Sequence, residues 1–177
     1  MRYLLEWRRQ LKDARVRPRQ PIWVPTPPEV VRRMLELAVV GPSDVVYDLG
    51  SGDGRMVIHA AKQYGAHGVG VDQDPVRIQR ARRHAVSEGV ADLVSFECAD
   101  AFDVNLGSAT VVVLYMSREW NDGILAKLHE ELPVGARVVS WNHDFAGWPP
   151  RLFDIVPIGD EGTRVYLWEI ERHRDHG

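Results

Sequence analysis

Three short stretches carry the side chains best suited to chemistry. Asp48-Leu49-Gly50-Ser51-Gly52-Asp53-Gly54 interleaves glycines with acids, Gly68-Val69-Gly70-Val71-Asp72 ends an apolar run on a carboxylate, and Ala99-Asp100-Ala101 places another acid after a third run. Alternate glycines let the chain turn tightly and let a ligand lie against bare backbone. A loop of this kind serves two ligand classes, and charge separates them. A dinucleotide pyrophosphate needs uncompensated amides at a helix N-terminus and a G-x-G-x-x-G spacing. Here the spacing is G-x-G-x-G, with Arg55 in the place of the third glycine. Carboxylates at Asp48, Asp53, Asp72, Asp74, Asp100 and Asp103 would repel a pyrophosphate and attract a cation. The competing reading, that these aspartates only cap helices and fill turns, weighs most at Asp53, Asp74 and Asp103.

Such residues act together only if strands deliver them to one edge of a sheet. The hydrophobic period switches regularly between that of strands and that of helices, as in an α/β fold with a parallel sheet. Strands are expected over 45–49, 67–71, 93–98, 109–116 and 137–141, and helices over 56–64, 75–88 and 118–132. The 109–116 run looks apolar on both faces, which marks a central strand. Residues 153–158 and 163–170, joined by Gly159-Asp160-Glu161-Gly162, read as an antiparallel hairpin closing the sheet. An earlier helix follows the extended segment 20–25, with Thr26 as N-cap, Pro27 at the first helical position and Val30, Val31, Met34, Leu35 and Ala38 as its apolar stripe. Ligands of open α/β sheets bind beyond the carboxyl ends of the strands, where the acidic stretches fall.

At 177 residues, with 45% hydrophobic and 27% charged side chains, the chain has ordinary globular composition, the size of one domain. Its net charge of −3 is uneven. Residues 1–20 carry seven basic against two acidic side chains, about +5, which leaves about −8 for the rest. The expected organisation is a basic arm over 1–20 and a single domain over 21–177. The arm could meet an anionic surface or dock its Tyr3, Leu4, Leu5, Trp7 and Leu11 on the body. No apolar stretch approaches the roughly 20 residues of a transmembrane helix. The single cysteine, Cys98, fits a reducing cytoplasm and reads as a core residue, and no Cys/His cluster suggests a metal. The arginines on the 75–88 helix, Arg77 among them, read as a solvated face.

A ligand carrying an ammonium and a sulfonium, as S-adenosylmethionine does, suits the acidic lining. Asp48–Gly54 resembles the first motif of class I S-adenosylmethionine-dependent methyltransferases, Gly68–Asp72 their ribose-binding strand and Ala99-Asp100-Ala101 their adenine-contacting step. Taken with Trp23-Val24-Pro25-Thr26-Pro27, Ala109–Tyr115 and Gly135–Ser140, the chain is most similar to the small archaeal and mitochondrial-type protein lysine methyltransferases. That resemblance implies a Rossmann-like seven-stranded sheet with helices on both faces, S-adenosylmethionine as cofactor, and lysine amines of proteins as acceptors. In those terms Gly50 and Gly52 cradle the methionine portion, Asp48 receives its ammonium and Asp72 accepts from the ribose hydroxyls. Asp100 takes the adenine amino group while the Ala101 amide faces a ring nitrogen. Thr26, Gln73 and Tyr115 complete the expected cofactor set.

Methyl transfer from a sulfonium is an in-line displacement with a neutral leaving group, so positioning dominates. A lysine amine, with a reference pKa of ~10.4, must instead be brought to its neutral form, which desolvation favours. Aromatic walls provide that, and Trp23, Tyr115, Trp141 and Trp148 are candidates. Tyr115, Trp141 and His143, the last as a proton relay, form the expected catalytic set. Methylation of RNA or a small molecule is the alternative enzyme reading. A non-catalytic scaffold is the alternative outside catalysis. The acidic body speaks against stable nucleic-acid binding.

Overall fold

The computed structural model describes residues 24–171. Helix α1 (Pro28–Leu37) leads into strand β1 (Val45–Leu49), followed by α2 (Arg55–Tyr64), β2 (His67–Asp72), α3 (Pro75–Ser87), β3 (Val94–Cys98), β4 (Val111–Leu114), α4 (Arg118–Glu131), β5 (Arg137–Trp141), β6 (Leu152–Ile158) and β7 (Glu161–Glu169). They form one seven-stranded sheet in the order β3-β2-β1-β4-β5-β7-β6. β1 to β5 are parallel, and β7 runs antiparallel to both β5 and β6.

Each face of the sheet is covered. Val30, Met34 and Leu35 of α1, Val57 and Ile58 of α2, and Ile78 of α3 pack with Val46, Val111, Val113 and Val139 on one side. Trp120, Ile124 and Leu128 of α4 pack with Leu49, Val112, Leu114, Val138 and Trp168 on the other. β4 therefore contributes alternate valines to both cores, as a central strand must. It is shorter than the 109–116 run. Its partner β1 pairs as far as Leu49 with Leu114 and then turns away, so Tyr115 and Met116 leave the ladder for the site.

Local chemistry explains the other departures. The N-cap of α1 is Pro27 rather than Thr26, with Pro28 inside the first turn and no side-chain cap. Two successive prolines shift the start by one residue, since each fixes its own φ near the helical value and pushes its predecessor out of the α region. The hairpin reversal is two residues, not four, because Ile158 already pairs with Glu161. Gly159, at φ 57°, supplies the positive φ that the first central position of a tight hairpin turn demands. Cys98 is exposed, not in the core. β3 is the edge strand: Ser95 and Glu97 on its outward face are exposed, Cys98 is exposed at the strand's end although it shares the face of Phe96, and only Phe96 is fully buried. The expected arm over 1–20, and Trp23, lie outside the described residues.

Candidate active site at the switch point of the sheet

β1 lies between β2 and β4, and the chain leaves it in opposite directions on its two flanks. A crevice forms there at the carboxyl ends of the strands. Its walls are Val24 and Thr26 before α1, Asp48, Gly50, Ser51 and Asp53 after β1, Arg55 and Met56 of α2, Asp72 and Arg77 around β2, and Val113, Tyr115 and Met116 from β4.

The glycine loop folds over the end of β2. Gly50 N and Ser51 N both donate to Val71 O, at 2.8 and 2.9 Å, and Gly54 N donates to Ser51 O at 2.9 Å. Gly52 N donates to Asp72 Oδ2 at 2.9 Å. The amides of Gly50, Ser51, Gly52 and Gly54 are thus engaged inside the protein and are not offered to a phosphate, in agreement with the charge argument. Gly50 has φ 92°, and a Cβ there would stand 3.0 Å from Met116 Sδ, so the backbone forms a bare wall of the cleft. Gly54 starts α2 at φ 79°, where a Cβ would lie 2.6 Å from the Phe96 ring.

Three carboxylates share this small volume. Asp48 is buried, and among the described residues no donor reaches its oxygens. Loss of hydration, with Asp72 and then Asp53 nearby, pushes its pKa up to about 7. Asp72 is more deeply buried but is tied down: besides Gly52 N, Asp74 N donates to its Oδ1 at 2.9 Å, and Arg77 Nη1 lies 3.6 Å from the same oxygen. Burial raises the pKa of Asp53, but the Arg55 guanidinium outweighs burial and leaves it below the usual carboxylate range. That pair is bidentate, at 2.9 and 2.6 Å, and Arg55 Nη1 also donates to Thr26 O at 2.8 Å. Asp74 caps α3 through Val76 N at 2.8 Å, as the plain reading of that residue held.

Of the expected cofactor set, the cleft brings together Thr26, Asp48, Gly50, Asp72 and Tyr115. Gly52 lies behind it, holding Asp72. Gln73, Asp100 and Ala101 do not line it. They adjoin it: Ala99 N donates to Asp72 O at 3.2 Å, Asp100 Oδ1 accepts from Phe102 N, and Gln73 O faces the Cys98 thiol at 3.7 Å.

On the acceptor side, Tyr115 is half-buried and stacks on Trp141, with ring centroids 4.0 Å apart. Burial raises the phenol's pKa, so it keeps its proton. Trp141 is buried beneath Tyr115 and does not reach the cleft surface. His143 also lies outside the lining; its amide donates to Trp141 O and its carbonyl accepts from Asn121 Nδ2. Trp148 is a packing residue, in ring contact with His129, Phe145 and Trp168.

Sequence reasoning missed Ser51, Met56, Arg77, Val113 and Met116 as lining residues. Arg77 had a readable signal: it stands three residues after Asp74, one helical turn in, where an i,i+3 pair forms at 3.3 Å. Met116 had none, because its approach to Gly50 is set by the crossing from β4 to α4.

The residues fit a cationic, hydroxyl-bearing ligand. Asp48 is a buried acid awaiting a positive partner, Ser51 Oγ is buried without a hydrogen-bond partner, and Gly50 leaves room where a side chain would intrude. With its sheet order and reversed β7, the fold is that of the class I S-adenosylmethionine-dependent methyltransferases, and the cleft has the charge that class requires.

Residues 48–152 match the ANTKMT methyltransferase domain, and the chain belongs to that family. It is 40% identical over 153 residues to a protein-lysine N-methyltransferase of Saccharolobus islandicus, spanning 86% of this chain and 95% of that one. It is 33% identical over 141 residues to the adenine nucleotide translocase lysine N-methyltransferase of Mus musculus, covering 79% of this chain but only 59% of the mouse protein. Among solved structures, an RNA methyltransferase from Salinibacter ruber in complex with S-adenosyl-L-homocysteine superposes with a TM-score of 0.80 and 45% sequence identity, over 87% of this chain and 98% of that one.

Proposed function

We propose that the protein transfers methyl groups from S-adenosylmethionine to lysine side chains of proteins. The observation that carries this reading is the Tyr115–Trp141 stack on the wall of an acidic cleft. An incoming lysine ammonium is drawn by the carboxylates, then loses water against the phenol ring, which favours the neutral amine that can attack. S-adenosylmethionine, when bound, supplies an electrophilic methyl on a sulfonium and departs as a neutral thioether, so the protein need not donate a proton to the leaving group. Asp48 would hold its ammonium, Gly50 its methionine chain and Asp72 its ribose hydroxyls, with Asp100 and Ala101 at the adenine end. Tyr115, its proton retained, orients the amine and excludes water. The amine's proton is released toward solvent at the open mouth.

The lysine enzymes of Saccharolobus islandicus and Mus musculus support this acceptor, whereas the Salinibacter ruber neighbour is described as acting on RNA. The cleft's charge favours the first. Its two arginines are both ion-paired, Arg55 to Asp53 and Arg77 to Asp72 and Asp74, which leaves Asp48 as the one unpaired acid of the lining and no uncommitted cation there for a phosphodiester. Tritiated S-adenosylmethionine incubated with enzyme and a total cell extract, followed by separation into protein, RNA and small molecules, tests the assignment. Label recovered as methyl-lysine after protein hydrolysis is expected; label confined to RNA or small molecules would overturn it.

A further inference from the structure

We propose that Thr163 is a positioning residue for methyl acceptance, although it lies on β7 and lines no part of the cleft. The inference rests on the reading of Tyr115, backed by the buried Trp141, as the acceptor wall. Trp141 Nε1 donates to Thr163 Oγ1 at 2.6 Å, and the Thr163 hydroxyl in turn donates to Asn142 Oδ1. One hydroxyl therefore both accepts and donates, so its own proton and the indole are oriented together. Asn142 closes the chain from the residue next to the tryptophan. It adopts φ 64°, a left-handed conformation that costs most residues free energy and that asparagine tolerates, and its amide donates to Arg164 O at 2.8 Å. The strained residue thus carries its side-chain oxygen back over the β5–β7 pair, to the hydroxyl that holds the indole.

The consequence reaches the cleft through ring contact. Trp141, clamped at its nitrogen, presents a fixed plane, and Tyr115 stacks on that plane at 4.0 Å. An indole free to rotate would let the phenol tilt, and displacements of about 1 Å at a transfer site are enough to cost large factors in rate. Thr163 acts through two aromatic rings on the acceptor and has no contact with Asp48 or Asp72, so its loss should separate catalysis from donor binding.

Thr163→Val removes the hydroxyl at nearly constant shape. Labelling of extract protein by tritiated S-adenosylmethionine should fall about tenfold or more, donor affinity by calorimetry should stay within twofold, and the Trp141 Nε1–H resonance, assigned by Trp141→Phe, should move. Thr163→Ser should restore the labelling and the resonance, with donor affinity again unchanged, because it keeps the hydroxyl. Asn142→Gly, which keeps the left-handed backbone and deletes the acceptor, should give an intermediate loss and decides the matter if Thr163→Val proves unstable. Full activity in Thr163→Val, or in Asn142→Gly should it be the deciding variant, alongside a crippled Tyr115→Ala, would overturn the role of Thr163 and leave the acceptor wall standing. Full activity in Tyr115→Ala would remove the wall itself and the proposal with it.

Discussion

Asp48 and Asp72 are a pair whose neighbourhoods separate them. Asp72 is compensated by two backbone amides and Arg77, while Asp48 keeps a charge problem that a proton or a bound cation relieves. An acid whose folded pKa lies above its unfolded value binds its proton more tightly when folded. Its contribution is therefore neutral below the unfolded pKa of about 3.9 and becomes a growing penalty as pH rises toward about 7, where it is nearly complete. At ~1.4 kcal/mol per unit, that penalty is on the order of 4 kcal/mol above neutrality in the ligand-free protein. The ammonium of the donor reverses it. Donor affinity measured by calorimetry should thus strengthen by about tenfold between pH 5.5 and 7, with proton release, and the dependence should flatten in Asp48→Asn. Asp72→Ala should weaken donor binding by more than tenfold at any of these pH values, since a buried charged acceptor is typically worth a few kcal/mol; unchanged affinity would remove it from the site. At this scale the chain was legible at the acids of β1 and β2, but not at Asp100 after β3, which does not line the cleft. Asp48 and Asp72 could be found from spacing alone, whereas the engagement of Gly52 N by Asp72 required the loop's actual turn.

Elements carry these residues, and glycine sets how closely elements approach. Gly54, at positive φ with a would-be Cβ 2.6 Å from Phe96, joins β1 to α2 with no room to spare. Gly54→Ala should lower stability by about 2 kcal/mol or more, a combination of strain and overpacking. Gly41→Ala, with open space around it and no positive φ, should leave the melting temperature unchanged or slightly raised. Thermal melts of the two variants side by side check the contrast. Strand periods and the alternation with helices were readable because both faces of β4 and one face of each helix are apolar. Edge position was not readable, and this is why Cys98 sits outside: Val94, Phe96 and Cys98 alternate like a buried strand, but β3 has a neighbouring strand, β2, on one side only. Native protein should therefore react with a thiol reagent at Cys98 at the rate of an exposed thiol.

Across the whole molecule, function and stability occupy opposite ends of the sheet. At the amino ends of the strands, Asp44 accepts from Thr110 Oγ1 at 2.7 Å and from Arg137, whose guanidinium also holds Val39 O, so β1, β4 and β5 are tied together below the core. Asp44→Ala should cost about 3 kcal/mol, because it strands the half-buried Arg137 charge, yet leave donor affinity untouched. The seven-stranded sheet with its closing antiparallel hairpin could be anticipated from the sequence, but this ion pair could not, since its partners stand 93 residues apart and only the crossovers bring them together. At the carboxyl ends the acids of β1 and β2 meet the aromatic end of β4, and the proposed chemistry requires donor and acceptor to meet there. The most direct measurement is a crystal structure with S-adenosyl-L-homocysteine. It should show the ammonium at Asp48, the ribose hydroxyls on Asp72, the adenine beside Asp100 and Ala101, and the sulfur facing Tyr115. A ligand seated elsewhere, or a sulfur turned away from Tyr115, would contradict the account.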